Sequence, residues 1–432
     1  MHYKKLWTPA AWLQGRWQES VLLEIDGAGR WQSITAGVQQ PTDARVLAGP
    51  VLPPLVNAHS HAFQRAMAGL AETRDSESDD FWSWREAMYR VALSISPEEL
   101  RQVATRLYKE LLRGGYTQVC EFHYLQHQPD GQPYEDELTM AWSLIDAAEE
   151  AGIGITMLPV LYAHQGFGQK GLKDTQRRFK TDAAWVFEAQ RRINEHRSAT
   201  VNAGVALHSL RAAHPEDIQA LMQRVGDQDL PIHIHVAEQT GEVRDCLAQT
   251  GMRPIEWLCK VQGLDARWQL VHATHAEAFE VELLARQGAG VVICPTTEAN
   301  LGDGLAPLTG YLNAGVPLTV GSDSEVGREW REELRWLEYG QRLLLRQRNV
   351  ASSPKSQPSS AARLFDAMLA GSGRAAGFDR WGLVPGARAD WLVLDTQAEG
   401  LEGLPMSRWL DGLVFASAGP LWREIGVGGK KL

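Results

Sequence analysis

Only four cysteines occur in the 432-residue chain, Cys120, Cys246, Cys259 and Cys294, and no two form a C-x-x-C pair. That excludes a thiolate zinc site and a thioredoxin-like redox motif. Cys120 and Cys294 lie in apolar, strand-like runs and read as small buried hydrophobes. No stretch of about 18 uninterrupted apolar residues exists, so no transmembrane helix is expected. The first seven residues, Met-His-Tyr-Lys-Lys-Leu-Trp, lack the apolar run of a signal peptide. Positive charge is in deficit: 43 Lys and Arg stand against 53 Asp and Glu, a formal net charge of −10. That balance disfavours nucleic-acid partners but still permits a local basic pocket for an acidic metabolite. The expectation is a cytoplasmic protein with no membrane and no nucleic-acid partner.

What is present supports a large core. The chain is 44% hydrophobic, enough for one big catalytic domain and a small accessory one. Val21 to Ile25 ends at the turn dipeptide Asp26-Gly27, and Trp31 to Ile34 can return antiparallel to it. Near the other end, Ala389 to Asp395 follows a Pro385-Gly386 turn and is again strand-like. Between these ends, eight short apolar runs alternate with amphipathic stretches, near 51–58, 117–124, 154–162, 203–210, 231–237, 268–273, 290–295 and 316–321. One connecting stretch, Glu98 to Leu112, repeats Leu100, Val103, Leu107 and Leu111 at helical spacing. The pattern predicts an α/β chain: a (β/α)₈ TIM barrel over 51–375, with a small β-sandwich-like domain from 1–50 and 376–432. A doubly wound open sheet remains the alternative, because counting strands does not close a barrel.

Polar residues gather where the apolar runs end, the face on which parallel barrels build active sites. The first run ends Asn57-Ala58-His59-Ser60-His61, and alternation puts His59 and His61 on one face. An H-x-H alone is weak evidence. The fifth run carries His233 and His235, then Glu238. His235 lies nearer the strand end and is the better ligand; His233 reads as a packed histidine deeper in the barrel. Glu238 taken alone reads as a loop acid. The sixth run ends at His272, with His275 further on and expected to be exposed. The eighth run ends Gly321-Ser322-Asp323, where an unpaired buried carboxylate would be costly; an ordinary helix cap is the alternative. Together these residues offer imidazole and carboxylate ligands without thiolate. That set suits Zn²⁺, with Fe²⁺ or Mn²⁺ as alternatives.

These motifs resemble the amidohydrolase superfamily along essentially the whole chain. Two further segments agree, Cys294 to Gly304 with the strand-seven loop of its deaminase branch and Leu383 to Asp390 with its return to the β-domain. Longer passages resemble the members that release ammonia from N-formimino-L-glutamate: Asn57 to Leu70, Phe81 to Arg85, Glu121 to Tyr124 and His208 to Arg211. Pro53-Pro54 departs from the usual Pro-Gly before the first metal motif. The resemblance implies one metal held by His59, His61, His235 and Asp323, with no bridging lysine on strand four. It implies catalytic roles for Glu238, His272 and Asp323. It places Gln64, Arg85, Tyr124, His208 and Arg211 around a small-molecule dicarboxylate, and it implies a homodimer. Arginine suits that task because it meets a carboxylate with paired, charge-assisted hydrogen bonds. Surface ion pairs are the ordinary alternative for Arg85 and Arg211. The rival function is an aminohydrolase acting on guanine, cytosine or an s-triazine, and a catalytically dead binding protein is the more remote one.

Overall fold

A computed structural model describes residues 4–73 and 81–432, with backbone alone at 81–83. The side chains of Phe81, Trp82 and Ser83, part of one passage singled out above, therefore lie outside the described residues.

The eight apolar runs form a parallel sheet in chain order. Its strands are Leu55–Ser60, Tyr116–His123, Gly154–Leu161, the pair Val201–Ala203 and Val205–Leu207, Ile232–Val236, Trp268–His272, Gly290–Ile293 and Leu318–Val320. The sheet closes on itself through a parallel bridge between Ser60 and Asp323. There the Asp323 amide donates to the His59 carbonyl at 3.0 Å, and the His61 amide donates to the Asp323 carbonyl at 3.2 Å. This closure decides for the barrel over the open sheet. It also brings the first and eighth strand ends, with their polar residues, side by side. Close approach requires Gly321, since a Cβ there would lie 2.6 Å from the Cβ of His59.

The connecting helices bury apolar stripes on the barrel. In Pro97–Arg113, Leu100, Val103, Leu107 and Leu111 are buried, as their spacing predicts. Ser96 starts this helix with a reciprocal cap: its hydroxyl accepts from the Glu99 amide, and Glu99 accepts from the Ser96 amide.

Strands from both chain ends form a second, eight-stranded sheet. Lys5–Leu13 pairs antiparallel with Arg16–Ile25, which pairs with Trp31–Thr35; Trp391–Leu394 joins through Val51–Leu52. Its own apolar cluster includes Leu6, Val21, Leu23, Trp31, Val51 and Trp391.

Arg388 ties the two sheets together. It is buried, pairs with Asp390 at 2.7 Å, and donates to Gln118 Oε1 and the Thr117 carbonyl at the start of the second barrel strand. Asp390 also accepts from Thr117 Oγ1 and the Gly428 amide. Removing one member of such a pair leaves the other charge buried and uncompensated. Arg388→Met is expected to lower stability by about 3–5 kcal/mol in urea unfolding, with KM unchanged because the network lies at the opposite barrel end.

Candidate active site

Backbone at the C-terminal strand ends is bent to aim side chains inward. Ala237, His272, Ala273, Asp323 and Glu325 all adopt left-handed φ, between 48° and 69°. Each costs roughly 1–3 kcal/mol, so the surrounding packing must hold them there.

His59, His61, His235 and Asp323 converge. One ligand atom from each lies within 4.8 Å of all the others, and all four residues are buried. His59 Nε2 and His61 Nε2 each lie 3.4 Å from Asp323 Oδ1, and His235 Nε2 lies 2.9 Å from His59 Nε2. The tautomers follow from the other ring nitrogens. His61 Nδ1 donates to the Phe122 carbonyl and His235 Nδ1 to the His208 carbonyl, both at 2.9 Å. Their Nε2 atoms are therefore bare lone pairs, that of His61 facing the Asp323 carboxylate and that of His235 facing His59 Nε2. Burial lowers the pKa of all three imidazoles, that of His59 to about 3, so they are neutral, as metal ligands must be. Lone pairs and a carboxylate facing one another repel unless a cation lies among them. The donor set thus fits a divalent ion of the nitrogen- and oxygen-binding kind.

His272 stands beside this cluster. Its Nδ1 lies 3.4 Å from Glu298 Oε1, and its Nε2 lies 3.6 Å from Glu238 Oε1 and 3.7 Å from Asp323 Oδ2. Burial alone would lower its pKa, but Glu238, the Glu298 hydrogen bond and Asp323 together raise it to about 10. Burial raises the Glu238 carboxyl, with His272 and Arg211 opposing. For Asp323, burial is outweighed by the His59 bond and the neighbouring imidazoles, and its carboxyl stays below the ordinary range.

A small cavity of about 50 Å³ opens on these groups. Of the candidate metal-ligating, catalytic and substrate-binding residues, all except His59 line it. An outer vestibule of about 460 Å³ shares Arg85, His208 and Arg211. Gln64 Nε2 donates to the Tyr124 hydroxyl at 3.1 Å, and its buried Oε1 has no partner among the described residues. Arg85 donates to the Tyr162 hydroxyl at 3.1 Å and lies 5.2 Å from the Tyr89 ring. Arg211 forms no ion pair among the described residues, and its buried Nε has no hydrogen-bond partner. Burial, then the Arg211 and Arg85 charges, hold His208 well below the ordinary imidazole range.

Several features differ from expectation or went unread. His233 is packed deep in the barrel as foreseen, its Nε2 bonded to the Ala375 carbonyl at 2.8 Å. His275 is half-buried instead of exposed, because the loop at Gly304 packs over its ring. Glu298, which the sequence places within a loop, is buried against His272. Glu121 is buried behind the histidine pair, accepting from Ser60 Oγ and the Ala62 amide. An acid inside the apolar run Val119-Cys120-Glu121-Phe122 was the available clue.

The model of the amidohydrolase family matches residues 51–418. The chain belongs to the amidohydrolase family. Among curated relatives, this amidohydrolase is 44% identical to formimidoylglutamate deiminase from Pseudomonas aeruginosa, over 96% of this chain and 91% of that protein. It is 28% identical to a 5-methylthioadenosine/S-adenosylhomocysteine deaminase from Natronomonas pharaonis, over 88% of this chain and 80% of that one. Among solved structures, an amidohydrolase from Brucella melitensis superposes with a TM-score of 0.92 at 42% identity, covering 100% of this chain and 94% of that one. A zinc-bound adenosine deaminase from Xanthomonas campestris shares the fold at a TM-score of 0.79 and 21% identity, over 99% and 92% of the two chains. No described helix of this amidohydrolase is long and apolar enough to cross a membrane.

Proposed function

We propose that this amidohydrolase hydrolyses N-formimino-L-glutamate to N-formyl-L-glutamate and ammonia, a step of histidine degradation. The observation that carries this reading is the pairing, in one cavity, of a four-donor metal cluster with two guanidinium groups, Arg85 and Arg211. The 44% identity to a formimidoylglutamate deiminase supports it. A planar neutral heterocycle gains nothing from two cationic side chains, whereas a dicarboxylate needs them. The same reading takes 51–375 as the catalytic unit, with 1–50 and 376–432 as its accessory unit, in a cytoplasmic homodimer.

His59, His61, His235 and Asp323 would hold Zn²⁺, with Fe²⁺ or Mn²⁺ as alternatives. When bound, such an ion supplies Lewis acidity that makes water acidic near neutral pH. Arg85 and Arg211 bind the carboxylates, with Gln64, Tyr124 and His208 completing the contacts. His272 and Asp323 orient the attacking water, and its oxygen adds to the formimino carbon. Glu238 takes a proton from that water and returns it to the departing nitrogen, and relays the remaining hydroxyl proton to the same nitrogen as the carbonyl forms. The carbon–nitrogen double bond is replaced by a carbonyl, and nitrogen leaves as ammonium.

An ammonia-release panel tests the reading. N-formimino-L-glutamate is expected to exceed N-formimino-L-aspartate, guanine and cytosine in kcat/KM by at least about 10²-fold, the scale set by a site built around buried polar contacts. A preference for guanine or cytosine would overturn it. Glu238→Gln is expected to keep its metal and lose about 10²–10⁴-fold in kcat. Unchanged turnover would remove Glu238 from the mechanism.

A further inference from the structure

The loop after the seventh barrel strand carries a buried acid with no role so far. Helix Pro295–Leu301 ends at Gly302, whose left-handed φ of 70° turns the chain so that the Asp303 amide donates to the Glu298 carbonyl at 2.9 Å. Leu301 of the same turn lines the small cavity. Asp303 is only 5% exposed. One of its carboxylate oxygens lies within 4.8 Å of both a Glu238 oxygen and a ring nitrogen of His272. Gln239 Nε2 donates to Asp303 Oδ1, while Oδ2 is buried without a donor among the described residues.

We propose that Asp303 is a specificity-determining residue that, with Glu238, makes the reacting end of the cavity select a cationic amidine head over a neutral formyl head. This inference rests on the function proposed above. Besides Asp323, three buried acids, Glu238, Glu298 and Asp303, lie around the single imidazole of His272, so acidic groups outnumber it. Burial and the neighbouring Glu238 push the Asp303 carboxyl up to about 9. A cation drawn beside two such acids favours their charged forms.

Substrate and product carry the same two carboxylates, so Arg85 and Arg211 hold both alike. They differ only at the head, where the substrate is a formamidinium and the product a neutral formamide. Discrimination between them must therefore arise at the end where Glu238 and Asp303 lie. A charged Asp303 draws the substrate in and loses its attraction once the carbonyl has formed, which favours product release.

Calorimetric titration of the metal-loaded protein tests this with two ligands, N-guanidino-L-glutarate (a cationic head) and N-formyl-L-glutamate (a neutral one). The wild type is expected to bind the guanidino compound at least about 10-fold tighter. Asp303→Asn is expected to weaken it about 30-fold, less than the roughly few-hundred-fold of a full charge about 5 Å away at an effective dielectric near 20 because the buried acid must first ionise, while changing formyl binding less than about threefold. Asp303→Glu, which keeps the charge, is expected to restore most of the wild-type ratio. Equal affinities in the wild type, or parallel weakening of both ligands in Asp303→Asn, would overturn the inference while leaving the proposed function standing. Failure of the wild type to bind either ligand would instead overturn the proposed function, and this inference with it.

Discussion

Asp323→Asn is expected to reduce ammonia release by at least about 10⁴-fold and to lower bound metal sharply, with the fold retained. The scale is that of groups that act as one unit, where losing one member costs nearly as much as losing several. Asp323 belongs to two such units at once. Its Oδ1 lies 3.4 Å from both His59 and His61, and its Oδ2 lies 3.7 Å from His272. Asparagine preserves the shape and tolerates the left-handed φ of 51° at this position, so the change removes charge without straining the turn. Circular dichroism and metal analysis on the same preparation separate loss of charge from loss of fold. Wild-type turnover in this variant would contradict the assignment.

Arg211→Ala is expected to raise KM for N-formimino-L-glutamate by about 10²-fold, with a smaller loss in kcat. Removing one partner of a desolvated charge pair costs about 2–5 kcal/mol, which is roughly 30- to several-thousand-fold in affinity. Arg211 forms no ion pair among the described residues, and among them its buried Nε has no acceptor. Arg211→Lys should recover little, because an ammonium cannot present paired donors to a carboxylate. Unchanged KM and kcat in the alanine variant would remove Arg211 from the substrate pocket.

The sequence exposed the parts of this site that obey simple periodicities. His59 and His61 are readable because strand alternation puts them on one face. His235, His272 and Asp323 are readable because each ends an apolar run. The same runs predicted every barrel strand, and closure needed only the Ser60–Asp323 bridge, a contact across most of the chain that no local pattern encodes. Glu298 and Asp303 escaped notice for a related reason. They lie on a short helix and the turn after it, where burial depends on how Gly302 reverses the chain, and acids in such segments are usually solvated. His275 was misjudged on the same ground, since the Gly304 loop that covers its ring is distant in sequence. The shift of His272 to about 10 is also invisible in the sequence, because it requires Glu238, Glu298 and Asp323, from three separate segments, around one ring.

The most direct test of the whole account is a titration of metal-stripped protein with zinc, following ammonia released from N-formimino-L-glutamate. The rate should be near zero without metal, rise in proportion to zinc added, and level off at one equivalent per chain. Full turnover by protein shown to hold no metal would contradict the claim that His59, His61, His235 and Asp323 form the catalytic centre.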